Sequence, residues 1–183
     1  MRWVWVAVIC TCLCTPAWAE RGEDTVFLQG ELYTSVLTET DEGARLANAF
    51  GGSIKAGRRW GRWGVFGQIE QSAWRSPGVE EGEFELYGAL NIGPGGEVLF
   101  ADGLARTSVA VGLSMLNWST PTDEAWQKGV FLDVRPGGFR FEIDDRWLIN
   151  VDPISFTLLM PALDGIPLVE FEYRTTIVAE YTL

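Results

Sequence analysis

The end of the chain carries the feature that most constrains the fold: residues 169–183 alternate between apolar and polar side chains. One face comprises Val169, Phe171, Tyr173, Thr175, Ile177, Ala179, Tyr181 and Leu183. The other comprises Glu170, Glu172, Arg174, Thr176, Glu180 and Thr182, with Val178 as the exception. Successive side chains of a strand point to opposite faces, so this period of two predicts one long strand. The predicted strand is longer than the mean strand of about 5–6 residues. A water-soluble domain rarely ends inside such a pattern, because chain termini fray.

Similar alternation recurs upstream, with turn residues at regular spacing and little helical periodicity. We therefore predict eight strands, near residues 25–37, 48–58, 62–74, 84–100, 104–118, 129–143, 147–160 and 167–183. The connections at 39–46, 75–82, 119–127 and 161–166 are long, whereas those at 59–61, 101–103 and 144–146 are tight. This asymmetry is typical of barrels that cross an outer membrane. The predicted fold class is all-β, an eight-stranded antiparallel up-and-down transmembrane β-barrel.

Three prolines fall inside predicted strands and could mark either bulges or turns. Pro94 and Pro136 each precede two glycines, and as hairpin turns they would raise the count to ten strands. Two of those strands would be far shorter than the roughly 9–11 residues that a tilted spanning strand needs. We therefore interpret both sites as bulges within long strands. Before Pro136 the apolar residues stand at even positions and after it at odd ones, and at Pro153 they change from odd to even. One inserted residue makes such a change. No change of this kind is visible at Pro94. At Pro153 a short helix or loop is the alternative.

The N-terminal residues match a secretory signal peptide. Arg2 precedes an apolar run too short to span a membrane as a helix, and the small residues Ala17 and Ala19 precede a cleavage site. We therefore expect a signal peptide at residues 1–19 and an outer-membrane β-barrel domain at residues 20–183. The expected location is the bacterial outer membrane.

Removal of the signal peptide would leave a strongly acidic chain without cysteine, because all three cysteines lie within residues 1–19. Arg2 is the only charged residue in the signal peptide, so the remaining chain would contain 13 Lys and Arg and 25 Asp and Glu. Its net charge would be −12. Such a surface argues against nucleic acid as a partner. Without disulfides, stability has to come from packing, strand pairing or a membrane.

The polar face of the strands decides between a soluble barrel and a membrane barrel, because both show the same alternation. Formal charges stand in mid-strand on this face, at Lys55, Glu70, Glu85, Arg106, Asp133, Glu170, Glu172 and Arg174. Tryptophans stand near strand ends: Trp60 and Trp63 at a tight turn, Trp74 and Trp118 at the opposite rim, and Trp126 in the third long connection. Amphipathic rings gather at membrane–water boundaries, so we expect apolar side chains to face lipid and charged ones to fill the lumen. The alternative is that these tryptophans belong to an apolar core.

The C-terminal pattern, with Tyr181 third from the end and an apolar final residue, resembles the C-terminal signal of bacterial outer-membrane β-barrel proteins. In length and loop asymmetry the mature chain resembles the small eight-stranded barrels of the OmpA/OmpX type. Leu183 departs from the pattern, because that family usually ends in Phe. The resemblance implies insertion from the periplasm by the barrel assembly machinery, with both termini periplasmic.

Any chemistry in the mature chain would have to proceed without histidine or cysteine. This excludes Ser-His-Asp and Cys-His nucleophiles and the usual histidine-based metal sites. Carboxylate pairs remain, at Glu170 with Glu172, Glu80 with Glu81, and Asp144 with Asp145. Inward carboxylates more often pair with cations, here Arg174, Arg106 and Lys55. We therefore predict a protein that is not an enzyme, with no catalytic, cofactor-binding or metal-binding residues and no cofactor.

Acidic residues of the long connections have two interpretations. They could bind divalent cations that bridge lipopolysaccharide, or they could form a solvated, repulsive surface, since none shows a calcium-loop spacing. These residues are Glu39, Asp41, Glu42, Glu80, Glu81, Asp123, Glu124 and Asp164.

The functional prediction is a monomeric outer-membrane barrel with a structural, adhesive or lipid-organising role, in contact with outer-membrane lipid and lipopolysaccharide. A conducting pore is not expected, because eight strands enclose no open channel. The alternative is a soluble periplasmic, lipocalin-like barrel that binds a small apolar ligand. That alternative requires Val169, Phe171, Tyr173 and Ile177 to point inward.

Overall fold

The strands close into a barrel in which each strand pairs with its neighbours in sequence. The computed structural model describes residues 24–39, 45–75, 86–119, 124–160, 163 and 170–183. All pairs are antiparallel, and the last strand returns to pair with the first, which closes the sheet. The predicted eight-stranded up-and-down barrel is therefore confirmed. The strands are β1 (Thr25–Glu39), β2 (Arg45–Trp60), β3 (Trp63–Arg75), β4 (Leu86–Phe100), β5 (Ala105–Ser119), β6 (Glu124–Glu142), β7 (Trp147–Met160) and β8 (Glu170–Thr182).

The strand positions agree with the prediction to within a few residues, except at the start of β6. This strand begins at Glu124 rather than near residue 129. Its ladder with β5 continues to the pair Ser119–Glu124, because residues 124–128 contain neither proline nor glycine. Trp126 therefore lies in β6, opposite Asn117, and its assignment to a long connection is wrong.

Tight turns join the strands at one end of the barrel, as predicted. Gly61 lies between β2 and β3 with a φ of 58°, a conformation that favours glycine. A 3-10 turn at Ala101–Gly103 joins β4 to β5, and Ala101 and Asp102 also adopt positive φ angles there.

Asp144 organises the turn between β6 and β7. Its carboxylate accepts hydrogen bonds from the backbone N–H groups of Arg146 (2.8 Å) and Trp147 (2.7 Å). These bonds hold the pKa of Asp144 below its usual value. A carboxyl whose pKa is lowered by folding stabilises the fold above its unfolded pKa, so this contribution is lost on strong acidification.

Pro94 is accommodated without a bulge, which corrects the prediction for that site. The register of β4 against β5 is the same on both sides, with Ile92 opposite Leu113 and Gly95 opposite Ala110. Proline has no N–H to donate to the ladder, so the pairing with β5 lapses at residues 93 and 94 and then resumes. β4 is one continuous strand, and the parity of its side chains does not change.

Pro136 and Pro153 do mark bulges, as predicted. The register of β6 against β7 shifts on either side of Gly137, next to Pro136. The register of β7 against β8 shifts between Asp152 and Ser155, around Pro153. An inserted residue exchanges the inward and outward positions of a strand. The two bulges face each other, and charged side chains point inward on both sides of them.

A pair of glycines lets β4 and β5 approach closely beside Pro94. A Cβ atom on Gly93 would lie 2.2 Å from the carbonyl oxygen of Val111 and 2.7 Å from the Cα of Gly112. Gly93→Ala must therefore displace backbone, and we expect it to lower the free energy of unfolding by about 1–3 kcal/mol. Gly67→Ala is the matched control, because nothing lies within 4 Å of the added methyl group. Denaturant unfolding in lipid vesicles measures both, and equal stabilities would contradict this account of Gly93.

Candidate functional site: the charged lumen and the apolar outer wall

Formal charges line the inside of the barrel. Alternation along each strand directs one set of side chains into the lumen, where lysine, arginine, aspartate and glutamate are almost fully buried. The basic members are Lys55, Arg59, Arg106, Arg135, Arg140 and Arg174. The acidic members are Glu31, Glu70, Glu97, Asp133, Asp152, Glu172 and Glu180. Buried charges are tolerated only where they are paired and hydrogen-bonded, so their partners determine whether this arrangement is stable.

A middle cluster is centred on Arg135 of β6. Its guanidinium donates two hydrogen bonds of 2.9 Å to Glu31, one of 3.0 Å to Asp133 and one of 3.0 Å to Asp152. Lys55 forms a second ion pair with Glu31 at 2.9 Å. Three carboxylates from β1, β6 and β7 thus converge on one guanidinium, which crosses the lumen and ties opposite walls together.

Arg106 of β5 extends the middle cluster towards the tight turns. It donates to Asp152 through Nη2 at 2.6 Å and through Nε at 3.0 Å. Its Nη1 also lies 3.9 Å from Glu97 of β4. Gly138 makes space for the side chain of Asp152. A Cβ atom added to Gly138 would lie only 1.9 Å from a carboxylate oxygen of Asp152. The bulge residues therefore leave room for this carboxylate.

A turn-side cluster is centred on Glu180 of β8. This carboxylate accepts hydrogen bonds from Arg59, from Arg140 (2.9 Å), from Gln29 (2.8 Å) and from Asn150 (2.9 Å). Side chains from β1, β2, β6 and β7 meet at this one residue. In the same cluster, the Arg59 guanidinium also donates to the Glu97 carboxylate.

A loop-side cluster is centred on Arg174 of β8. Its guanidinium donates to Glu70 at 2.8 Å and to Glu172 at 2.6 Å, and it lies 4.3 Å from the centre of the Tyr33 ring. Asn91 donates to the second oxygen of Glu70 at 2.8 Å. The two carboxylates share one guanidinium, so this cluster carries one net negative charge.

Aromatic rings fill the lumen between the charged clusters. Tyr33 covers Gly51, its direct partner across β1 and β2: a Cβ on the glycine would lie 2.3 Å from the Tyr33 hydroxyl. Phe27 covers its partner Gly57 in the same way, with 2.6 Å to the ring. Large rings on one strand thus occupy the space that glycine leaves on the next. Together with the ion pairs they leave the interior filled rather than open.

Several predicted lumen charges are confirmed. Lys55, Glu70, Arg106, Asp133, Glu172 and Arg174 all point inward and are buried. Glu85 and the side chain of Glu170 lie outside the described residues. Of the predicted carboxylate pairs, Glu172 contacts Arg174 as expected, whereas Asp144 is exposed and caps a turn instead of meeting a cation in the lumen. Glu80 and Glu81 also lie outside the described residues.

Other lumen charges were missed by the sequence analysis. Arg59 fell in a predicted tight connection, although it shares the parity of Lys55 on β2, which was the signal that could have found it. Arg135 shares the parity of Asp133, and Arg140 lies between the outward Phe139 and Phe141, so the alternation on each side of Pro136 was the signal that could have found them. The remaining missed charges are Glu31, Glu97 and Asp152. Glu180, placed on the polar face of the last strand by the alternation, does point inward.

The outer wall is apolar. In β8, Phe171 is 37% exposed, Tyr173 is 39% exposed and Ile177 is 61% exposed, whereas Glu172 and Arg174 are fully buried. This is the polarity of a membrane barrel, and it contradicts the inward apolar face that the lipocalin-like alternative required. Val169 lies outside the described residues.

Tryptophans mark the turn end of the outer wall. Trp60, Trp63 and Trp147 are 45%, 56% and 47% exposed. The guanidinium of Arg62 lies 5.3 Å from the centre of the Trp63 ring. Amphipathic rings at one height, with a cation beside them, are typical of a membrane–water boundary. The side chains of Trp74 and Trp118, predicted at the opposite rim, lie outside the described residues.

The described part of the chain contains no helix that is both long and apolar enough to cross a membrane. Nor does it contain a group of three or more His, Cys, Asp or Glu arranged to hold a metal ion.

Solved structures with the same architecture exist, although no family model and no curated protein sequence matches the chain. Neisserial surface protein A is 10% identical, with 87% of this chain and 98% of that protein covered and a TM-score of 0.61. The attachment invasion locus protein Ail of Yersinia pestis is 14% identical, with coverages of 88% and 99% and a TM-score of 0.59. Both are eight-stranded outer-membrane barrels, and at these identities the likeness concerns the fold. Topology, inward charges and these structural neighbours together identify the chain as a small eight-stranded β-barrel with the fold of outer-membrane proteins.

Proposed function

We propose that this chain is a non-enzymatic resident of the bacterial outer membrane with a structural or lipid-organising role. The observation that carries the proposal is the polarity of the wall, which exposes apolar side chains outward and buries paired charges inward. Water on the outside would leave this apolar girdle exposed, whereas lipid covers it without cost. Export by a signal peptide at residues 1–19 and insertion by the barrel assembly machinery as a monomer belong to the same proposal.

Fractionation of cells tests the location. We expect the protein to stay with carbonate-washed outer membranes and to migrate faster on a gel before boiling than after, because a lipid-stabilised barrel remains folded in mild detergent. The matched control is a charge on the outer wall, Ile177→Arg, which should reduce the folded band. Recovery in the soluble periplasm without a heat-dependent shift would contradict the proposal.

The filled lumen argues for a structural role rather than transport. Each formal charge in the middle cluster has an ion-pair partner, and rings occupy the space between clusters. We expect purified barrels in planar bilayers to show no stable conductance steps. Reproducible steps in the wild-type protein would contradict a closed lumen.

Lipid is a better-supported contact than a polyanionic ligand. Ail of Yersinia pestis has been crystallised with the heparin analogue sucrose octasulfate. In this chain, residues 40–44, 76–85, 120–123 and 161–169 contain neither lysine nor arginine. Their acidic residues would meet the phosphates of lipopolysaccharide only through divalent cations. We therefore place the proposed role in the lipid-facing wall, and an adhesive role would have to reside in the long connections.

The bulge at Pro153 provides a test of lipid contact. Its outward carbonyl accepts hydrogen bonds from the Tyr173 hydroxyl (3.3 Å) and the Thr175 hydroxyl (3.1 Å). In hydrocarbon no water can replace these donors. We expect the double variant Tyr173→Phe with Thr175→Val to lose about 1–3 kcal/mol of unfolding free energy in vesicles. Thr34→Val, also outward-facing, is the control; an equally small effect of both changes would argue that water reaches the bulge.

A further inference from the structure

A recess of about 490 Å³ opens on the outer wall over β1, β2 and β3. Its floor is formed by Gly30 and Gly52, which occupy outward positions but have no side chain to fill the wall. A Cβ atom added to Gly30 would meet nothing within 4 Å, so the space above this glycine is open. The volume falls within the range of roughly 300–1,000 Å³ that small-molecule sites have.

Apolar side chains and one amide form the rim of the recess. The apolar members are Leu32, Ile54, Ile69 and Leu90, of which the first three are 62%, 63% and 57% exposed. Gln71 of β3 is the exception, an exposed carboxamide on an otherwise apolar part of the wall. Among the described residues, none forms a hydrogen bond with its side chain. An amide that faces hydrocarbon needs a partner there, because no water replaces one.

Gln71 lies near the loop-side edge of the apolar band. It follows Trp63, at the turn-side boundary, by eight residues of β3. At about 3.3 Å per residue and a tilt of about 35–45°, Gln71 lies roughly 20 Å from that boundary along the barrel axis. The apolar band of such barrels is about 25 Å tall, so the amide lies close to the depth where acyl chains join the headgroup of a lipid. Gly30, five residues into β1, lies near the middle of the band.

The shape of the recess favours a single hydrocarbon chain over a helix. A helix with its side chains is about 10–12 Å wide, whereas neighbouring strands of the wall are only about 4.8 Å apart. A hydrocarbon chain carries no side chains, so it can lie along Gly52 and Gly30 towards the centre of the bilayer. The recess is continuous with the apolar wall that we propose faces lipid, so this inference rests on the proposed function.

The amide favours one kind of lipid, because it combines donors with an acceptor. The side chain of Gln71 offers two N–H donors and a carbonyl acceptor. The ester groups that join acyl chains to glycerol only accept hydrogen bonds, and they would leave the Gln71 oxygen unpaired. An acyl chain attached through an amide offers an N–H as well as a carbonyl, so both parts of the Gln71 carboxamide find a partner. Chains of this kind are carried by lipid A, the membrane anchor of lipopolysaccharide.

We propose that Gly30, Gly52 and Gln71 form a binding site for one amide-linked acyl chain of lipid A in the loop-side leaflet. The chain lies in the recess, and its amide group exchanges hydrogen bonds with the Gln71 carboxamide. In a barrel with both termini in the periplasm, this leaflet is the outward-facing one. Recognition then depends on how the chain is linked rather than on phosphate, in keeping with four loop-side segments that contain neither lysine nor arginine.

Native mass spectrometry of the folded full-length protein, released from nanodiscs, tests the site. The nanodiscs contain phosphatidylcholine with equal, small fractions of lipid A and phosphatidylethanolamine, and the mass identifies the lipid retained. We expect the wild-type barrel to retain one lipid A molecule in severalfold excess over phosphatidylethanolamine. Gln71→Leu should lower this ratio about 2–10-fold, as the loss of one ordinary hydrogen bond does.

Filling the recess provides a second variant. Gly30→Leu places a side chain in the open space and should lower the retention of lipid A at least as far as Gln71→Leu does. Gly67→Leu is the matched control, because Gly67 also faces outward into open space but does not line the recess. This control should retain lipid A as the wild type does.

Two results would overturn the inference: equal retention of the two lipids by the wild type, or equal lipid A ratios in Gly30→Leu and Gly67→Leu. Both results leave the proposed function standing, since the barrel is then folded in a bilayer. A barrel that does not enter nanodiscs would contradict the proposed function and this inference with it. If Gly30→Leu does not fold, an unchanged ratio in Gln71→Leu is by itself sufficient to overturn the inference.

Discussion

Replacing Arg135 with methionine is expected to lower the free energy of unfolding by about 3–5 kcal/mol or more, the usual cost of leaving buried charges without their partner. Arg135 donates to Glu31, Asp133 and Asp152, and all three carboxylates are almost fully buried. Methionine occupies a similar volume, so the loss reports charge rather than packing. Denaturant unfolding in lipid vesicles, followed by tryptophan fluorescence, measures it.

Two controls separate electrostatics from a general effect of removing arginine. Arg58→Met removes an ion pair with Asp24 whose partners are 55% and 51% exposed, so we expect a change of no more than about 1 kcal/mol. Adding Asp133→Asn to Arg135→Met should restore part of the lost stability, because one unpaired carboxylate becomes neutral. If Arg135→Met is no more costly than Arg58→Met, the ion pairs are not what holds the lumen together.

Placing arginine at Ile177 is expected to cost about 2–4 kcal/mol in bilayers, the penalty for a cation on the lipid face near the bilayer midplane. Ile177 lies in the middle of β8, is 61% exposed and pairs with Leu32 of β1 and Val151 of β7. No described neighbour of Ile177 in these pairs offers it a carboxylate.

Depth provides the matched control for this second prediction. Val26 also faces outward, at 45% exposure, but lies one residue from the turn-side end of β1. Val26→Arg should cost only about 0–1 kcal/mol, because the charge can reach the interface. Equal costs at the two positions, or no cost at Ile177, would contradict a lipid-covered wall.

Strand positions and the polarity of the wall could be predicted because they depend on local alternation. From Phe171 to Glu180, side chains of β8 alternate between outward and inward without interruption. The inward placement of Glu172 and Arg174 therefore follows from the amino-acid sequence alone. The same reasoning located the bulges at Pro136 and Pro153, where the parity of apolar residues changes.

Partner choice inside the lumen could not be predicted, because it depends on closure of the barrel. Glu31 and Arg135 are 104 positions apart in sequence, and so are Glu70 and Arg174. Strand tilt and stagger decide which inward residues meet across the lumen, and neither quantity is visible in the local pattern.

Pro94 shows a second limit of local reasoning. Its sequence context resembles that of Pro136, yet one site keeps its register and the other does not. The difference lies in the neighbouring strand: Gly112 of β5 allows a close approach to Gly93, so β4 passes the proline without an inserted residue. A neighbour of this kind is known only once the strands are paired.

The most direct test of the central claim is the environment of two adjacent residues of β8. Residues 20–183 contain no cysteine, so Ile177→Cys and Thr176→Cys each give a unique attachment site for a spin label. In folded barrels in lipid vesicles, the label at position 177 should collide readily with oxygen, which dissolves in lipid, and rarely with a water-soluble nickel complex. The label at position 176 should be sheltered from both, because Thr176 is fully buried in the lumen. An oxygen-accessible label at 176, with the label at 177 sheltered or in water, would contradict an apolar wall that faces lipid.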